Sequence, residues 1–249
     1  MNKMNKMNKK IVISSIASLL FLSQAANAEI KVGNAGVITG TIGVASQYVS
    51  KGLDANRDKP TASLTGEFAS NSDIQLILGT GVFYSRPDKP VTSANDYNYE
   101  LDYNVGLRKT FDKITLDLGY VSFTYPQATR SNNADTSAFY AKAGVAPTKE
   151  TTFTVYYEKD DTGGAKPIST TTQDYFYEIS LSHNFGPAAW SLAYGNFHDS
   201  GYYYKTGLAK EIMNLNFTVD YIKNYPDDKT WTSSLKDRDY VVVGVSKTF

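Results

Sequence analysis

Three adjacent residues, His198-Asp199-Ser200, carry the groups of a hydrolytic triad: a hydroxyl, an imidazole and a carboxylate. Triad members must point at one another, which neighbours on a short loop do not do, so the run reads as a solvated turn. His198 keeps one open use, as base for a serine from another loop, the arrangement an outer-membrane lipid hydrolase would need. The other histidine, His183, falls on an apolar phase and reads as an interfacial ring rather than a base. Asp160-Asp161 and Asp227-Asp228 read as solvated loop carboxylates rather than cation ligands. Gly163-Gly164 lacks the strand-to-helix setting and the lysine of a phosphate loop. Cysteine is absent, which removes disulfides, thiolate chemistry and Cys-ligated metal. No catalytic, cofactor or metal site is expected, and the chain reads as a non-enzyme.

A different set of charges recurs with a strict period. Tyr97, Tyr99, Leu101, Tyr103, Val105 and Leu107 alternate with Asn98, Glu100, Asp102, Asn104, Gly106 and Arg108, which is the period of a strand with unlike faces. Burying Glu100, Asp102 and Arg108 in a dry core would leave several charges without solvation, a cost that a water-filled lumen avoids. The same phase of other segments collects Lys51, Glu67, Asp117, Lys142, Glu158, Glu178, Lys205 and Asp220. These eleven residues are the expected pore lining. Carboxylates outnumber cations among them, so a pore would concentrate cations modestly. In the competing reading the charges pair across the lumen and close it.

The elements that must hold these residues are strands joined alternately by tight and long connections. The first strand is expected over Val37 to Lys51, with Ile38, Ile42, Val44 and Tyr48 outward, followed by a polar loop from Gly52 to Pro60. Tight turns fall at Ser70 to Asp73, Phe111 to Lys113, Pro147 to Glu150 and Gly186-Pro187. Long loops fall at Arg86 to Asp96, Pro126 to Asp135, Asp160 to Gln173 and Pro226 to Arg238. Short periplasmic turns alternating with longer external loops are the arrangement of outer-membrane barrels. The fold expected is all-β: a transmembrane up-and-down antiparallel β-barrel of about twelve strands, or ten if the short ninth and tenth segments pair differently.

The closing strand alternates Val241, Val243, Val245, Lys247 and Phe249 with Tyr240, Val242, Gly244, Ser246 and Thr248. Phe249 is expected to be a membrane-boundary anchor, and the strand that it ends is expected to engage the barrel-assembly machinery. The 19 tyrosines are the odd feature of the composition, and an amphipathic ring with one wet end suits a membrane interface. Tyr48, Tyr84, Tyr97, Tyr99, Tyr157, Tyr175, Tyr177, Tyr194, Tyr202, Tyr204 and Tyr221 would form a belt toward the long loops. Phe68, Phe111, Phe153, Phe185, Trp190, Phe217 and Phe249 would form the second belt, at the tight turns.

Lys3, Lys6, Lys9 and Lys10 precede an apolar run from Ile11 to Leu22 and a small-x-small site at Ala26-Asn27-Ala28. Residues 1–28 therefore read as a secretory signal peptide and 29–249 as the barrel. With a barrel after it, the address is the outer membrane of a Gram-negative bacterium. Lys plus Arg and Asp plus Glu balance at 25 each, so no basic footprint points to nucleic acid.

Ser46-Gln47-Tyr48-Val49-Ser50-Lys51-Gly52-Leu53, with Pro60 and the terminal Val245-Ser246-Lys247-Thr248-Phe249, resembles the proteobacterial TorF-type porin family, long carried as a domain of unknown function. The resemblance implies an outer-membrane barrel with a porin-like role and carries no catalytic or binding residue across. The leading functional reading is a passive channel for small polar solutes or ions with a weak cation preference, set in outer-membrane lipid. The alternatives are a lipid-modifying hydrolase built on His198 and a closed barrel whose external loops bind a partner.

Overall fold

The computed structural model describes residues 29–54, 59–85, 99–126, 135–161, 175–197, 201–226 and 238–249. The proposed signal peptide, the His198-Asp199-Ser200 turn, Tyr97, Gly163-Gly164, Asp227-Asp228 and most of each long loop lie outside them.

The chain forms β1 (Ile30–Val32), β2 (Gly36–Ala45), β3 (Val49–Ser50), β4 (Leu53–Asp54), β5 (Thr61–Ser70), β6 (Gln75–Ser85), β7 (Tyr99–Phe111) and β8 (Ile114–Thr124). It continues through β9 (Thr136–Val145), β10 (Thr151–Asp160), β11 (Tyr175–Asn184), β12 (Ala189–Phe197), β13 (Gly201–Ile212), β14 (Leu215–Pro226) and β15 (Arg238–Thr248). Strands β5 to β15 pair each with the next, all antiparallel, and β2 pairs with both β15 and β5, so the sheet closes on itself. The result is a twelve-stranded transmembrane up-and-down barrel, with the count of twelve rather than ten. The short segments at the ninth and tenth positions of the wall pair in simple sequence order as β11 with β12 and β12 with β13. The barrel strands run 9 to 13 residues, the length needed to cross the hydrocarbon core at a tilt.

At the seam, Thr41 to Ala45 pair with Thr248 to Gly244, and Gly40 and Phe249 exchange two backbone hydrogen bonds of 2.7 and 2.8 Å. Beyond Phe249 the freed edge of β2 is taken by β1, which pairs Ile30 with Ile38 and Val32 with Gly36. The unpaired backbone that a short last strand would leave is thereby satisfied. The Phe249 ring lies over Gly40 on the outer wall, where any side chain at Gly40 would collide with it.

Alternation sorts the two faces as the sequence predicts. Leu64, Leu76, Leu78, Val105, Leu107, Leu118, Val155, Ile179, Leu208, Val219, Val241 and Val243 are exposed on the outside, where lipid rather than water accounts for so much aliphatic surface. Tyr84, Tyr157, Tyr202, Tyr204 and Tyr221 are exposed near the long-loop ends, and Phe111, Phe153, Phe185, Phe217 and Phe249 near the tight-turn ends. Tyr202, Tyr204, Tyr194 and Tyr225 contact one another at centroid distances of 4.8 to 6.1 Å, Tyr202 stacked on Tyr225 and the others tilted or edge-on, so this belt is continuous over β12 to β14.

The first strand departs from expectation. It leaves the wall after Ala45, and the chain turns into the barrel instead of continuing upward to Lys51. Tyr48 is consequently no member of the outer belt: it is buried, stacked on Phe83 at 5.4 Å. The reason is local. Ala45-Ser46-Gln47 lacks a large apolar side chain for the outer face, and Lys51 and Gly52 take φ of 48° and 76°, the pair of left-handed residues that closes a two-residue hairpin between β3 and β4. Gly52 is required twice over, since a Cβ there would run into the Tyr203 ring.

Candidate functional site in the barrel lumen

The inner wall is where the chain's charges and its space meet. Ten of the eleven residues expected to line a pore sit on inward positions of β5, β7, β8, β9, β10, β11, β13 and β14; the remaining one, Lys51, is carried inward by the hairpin turn. Their surroundings differ from a water-filled bore. Glu100 is 2 % exposed, Asp102 0 % and Lys51 3 %, because the hairpin and a shell of rings close over them. Water does not solvate these groups; hydrogen bonds and opposite charges do.

Five sets of contacts account for nine of the eleven. Lys51 Nζ donates to Glu158 Oε1 at 2.6 Å, and the Tyr156 hydroxyl donates to Glu158 Oε2 at 2.6 Å. The hydroxyls of Tyr48 and Tyr125 donate to the two oxygens of Glu100 at 3.1 and 3.0 Å, so the hairpin is fastened at a second point. Nearer the tight turns, Arg108 forks to both oxygens of Glu67 at 2.7 and 3.1 Å and reaches Asp117 at 2.8 Å, while Tyr140 donates to the other Asp117 oxygen at 3.1 Å. Bidentate geometry suits the planar guanidinium, and each acceptor is used. Lys205 stands 3.9 Å from Asp220, and the Tyr203 hydroxyl donates to Glu178. The wall pairs join adjacent or next-adjacent strands, β7 with β8 and with β5, and β13 with β14, while Lys51 joins the hairpin to β10.

A ring lining was not foreseen. Phe83, Phe123, Tyr125, Tyr156, Phe176, Phe197, Tyr203 and Tyr240 all point inward near the long-loop ends and are buried against the hairpin and each other. The sequence does carry a signal for several of them. Phe83-Tyr84, Tyr175-Phe176-Tyr177 and Tyr202-Tyr203-Tyr204 place aromatics on both phases, so one of each run must face in. The wall makes room with glycine: the Tyr203 ring lies over Gly195, and the Tyr140 ring over Gly119.

These rings, Phe83 on β6 and Tyr240 on β15 among them, crowd the long-loop end and leave a gap beside the hairpin. On β2, β5, β6, β14 and β15 the inward residues around the gap are Thr39, Thr41, Gly43, Ser63, Thr65, Gly79, Gly81, Thr218, Gly244, Ser246 and Thr248. Beside them the hairpin leaves a cavity of about 320 Å³, bordered also by Tyr48, Lys51 and Lys205. Hydroxyls, exposed backbone and the charged groups of Glu67, Asp220, Lys51 and Lys205 border this cavity together with the apolar surface of Tyr48, Phe83, Ile222 and Val242.

Among the described residues no cluster of His, Asp and Glu could hold a metal ion. Asp160 lies in β10 and Asp161 just after it, where the Tyr120 hydroxyl donates to Asp161 at 3.4 Å. His183 is on the outer face near a tight turn, with Nδ1 2.9 Å from the Thr151 hydroxyl and its ring edge-on to Phe185 at 4.5 Å. That is an interfacial ring, remote from the lumenal charges.

No family model matches this sequence, and no curated protein matches it. Solved structures do share its fold. The KdgM porin superposes with a TM-score of 0.52 at 10% identity, covering 85% of this chain and 99% of that one. The KdgM porin in complex with disordered oligogalacturonate gives 0.53 at 10% identity, with 85% and 98% covered. The outer membrane phospholipase (OMPLA) dimer of Salmonella typhi, with bound calcium, gives 0.50 at 12% identity, with 84% and 89% covered. A porin and an enzyme on one barrel make the likeness one of fold.

Proposed function

We propose that this protein is an outer-membrane channel through which small polar solutes and ions pass passively, with a weak preference for cations. The observation that carries this reading is the cavity that the hairpin leaves beside the small-residue wall of β2, β5, β6, β14 and β15, bordered by hydroxyls and by the charged groups of Glu67, Asp220, Lys51 and Lys205. A barrel built only to be a closed wall would fill that side as β7 to β11 are filled, because packed interiors are more stable than hollow ones. The likeness to porin structures supports the same reading at the level of fold. The signal peptide, the outer-membrane address, a passage to the barrel-assembly machinery through the strand ending at Phe249, and kinship with the TorF-type family belong to this proposal.

Cation preference follows from charge placement. Among the eleven lumenal charges, Arg108 and Lys51 are each engaged by carboxylates, and the acidic groups remain in excess. A hydrolase would need His198, outside the described residues, whereas His183 faces away from the lumen. The test is reconstitution of folded protein into a planar bilayer under a potassium chloride gradient. Discrete conductance steps with a reversal potential of cationic sign are expected, and a silent bilayer containing heat-modifiable, folded barrel would refute the channel.

A further inference from the structure

The tip of the hairpin places a cation inside an aromatic box. Lys51 Nζ lies 4.7 Å from the centroid of Phe176, 5.8 Å from Phe197 and 5.9 Å from Phe123, and bonds Glu158 at 2.6 Å. Ring faces attract positive charge and a carboxylate accepts an N–H, so three rings and one carboxylate are the composition of a receptor for an organic ammonium. The box belongs to the wall, with Phe123 on β8, Glu158 on β10, Phe176 on β11 and Phe197 on β12. Wall contacts also set its shape: Tyr156 orients Glu158, and Phe176 packs on Phe197 at 4.8 Å. Its occupant arrives from elsewhere, on a hairpin joined by two residue pairs. Side chains, Lys51 on Glu158 and Tyr48 on Glu100 and Phe83, fasten the hairpin to the wall, so a competing cation at Glu158 acts directly on one of its attachments. Lys51 also borders the cavity, so a solute in the passage reaches the edge of its seat.

We propose that Phe123, Phe176, Phe197 and Glu158 form a binding site for a primary alkylammonium, and that Lys51 is its built-in occupant, displaced together with the hairpin when such an amine enters. This rests on the channel reading above and assigns its solute a chemical class. An alkylammonium reproduces both features of the lysine tip, the N–H donors and a short apolar stem, whereas sodium offers neither.

The chain contains no cysteine, so Ser50→Cys introduces a sole thiol beside Lys51 at a position that is 1% exposed. The folded variant is labelled with a charged maleimide in sodium chloride or in n-butylammonium chloride of equal concentration. Labelling should be slow in sodium and about tenfold faster in n-butylammonium, the factor that one cation–π contact and its ion pair carry. That ratio should fall toward unity when Phe176→Leu is added. Equal rates in the two salts, or rapid labelling in sodium, would overturn the proposal, and Val49→Cys supplies the same readout if Ser50→Cys does not fold. Labelling needs no conduction, so conducting protein without an amine effect rejects the ammonium site alone, and an amine effect in protein that never conducts rejects the channel alone.

Discussion

The two sides of the inner wall are built on one backbone plan and end up with opposite characters. On β7 to β11 the inward positions include Glu100, Asp102, Arg108, Asp117, Phe123, Tyr140, Lys142, Tyr156, Glu158, Phe176 and Glu178, and the lumen there is solid. Across the barrel, on β2, β5, β6, β14 and β15, threonine, serine and glycine dominate and the lumen is open. Outside, both halves present the same aliphatic surface. Strand pairing and lipid contact therefore set the barrel, while the volume of the inward side chains sets what is left inside it. The hairpin takes its polar partners, Glu158 and Glu100, from β10 and β7, and packs on rings from both halves of the wall, Phe176 on β11 and Phe83 on β6 among them.

The comparison can be broken most forcefully at the hairpin's attachment. Lys51→Met leaves Glu158 buried without its cation, at about 3–5 kcal/mol for a fully desolvated pair. We expect the hairpin to leave its seat and single-channel conductance to rise while the barrel still migrates as folded; unchanged conductance would show that the hairpin does not restrict the passage. Filling the open side should act in the opposite direction. Ser63→Trp places a ring where Ser63 borders the cavity and should lower conductance several-fold, measured on the same bilayers.

Smaller effects sharpen the contrast. Arg108→Ala frees Asp117 on the packed side and Glu67 at the edge of the cavity, costing about 1–3 kcal/mol because the guanidinium is itself partly exposed. It should shift the reversal potential further toward cations. Gly195→Ala drives a methyl into the Tyr203 ring, and overpacking of this kind costs about 1–3 kcal/mol, read as a lower unfolding temperature with conductance little changed. Least affected in the assembled state is Phe249→Ala, which keeps both backbone bonds to Gly40 and loses only the ring over it. Stability should fall by about 1 kcal/mol, the scale of a partly buried aromatic contact, and the yield of folded barrel should fall with it.

Much of the wall was legible in the sequence, since strand faces repeat every two residues and register follows from that period. Leu101 to Leu107 outward and Glu100 to Arg108 inward hold through β7, and Val241 to Phe249 hold along β15. Tyr48 shows where this reasoning ends. Its phase continues that of Ile42 and Val44, yet the chain has already left the sheet, and period says nothing once backbone pairing stops. Gly52 was the available sign of a turn in this stretch, and the structure places left-handed backbone there, at Lys51 and Gly52.

By itself, then, the sequence determined which residues face in and which face out, because alternation is a local property of an extended backbone in contact with two unlike media. Which inward groups meet was decided only by the tertiary structure: the β5-β6-β7 meander sets Arg108 with one strand between it and Glu67, 41 positions earlier, and the inward turn of the hairpin carries Lys51 to Glu158, 107 positions later. The same folding turned a count of charges into paired clusters and left a gap beside the hairpin, bordered by hydroxyls and by some of those pairs.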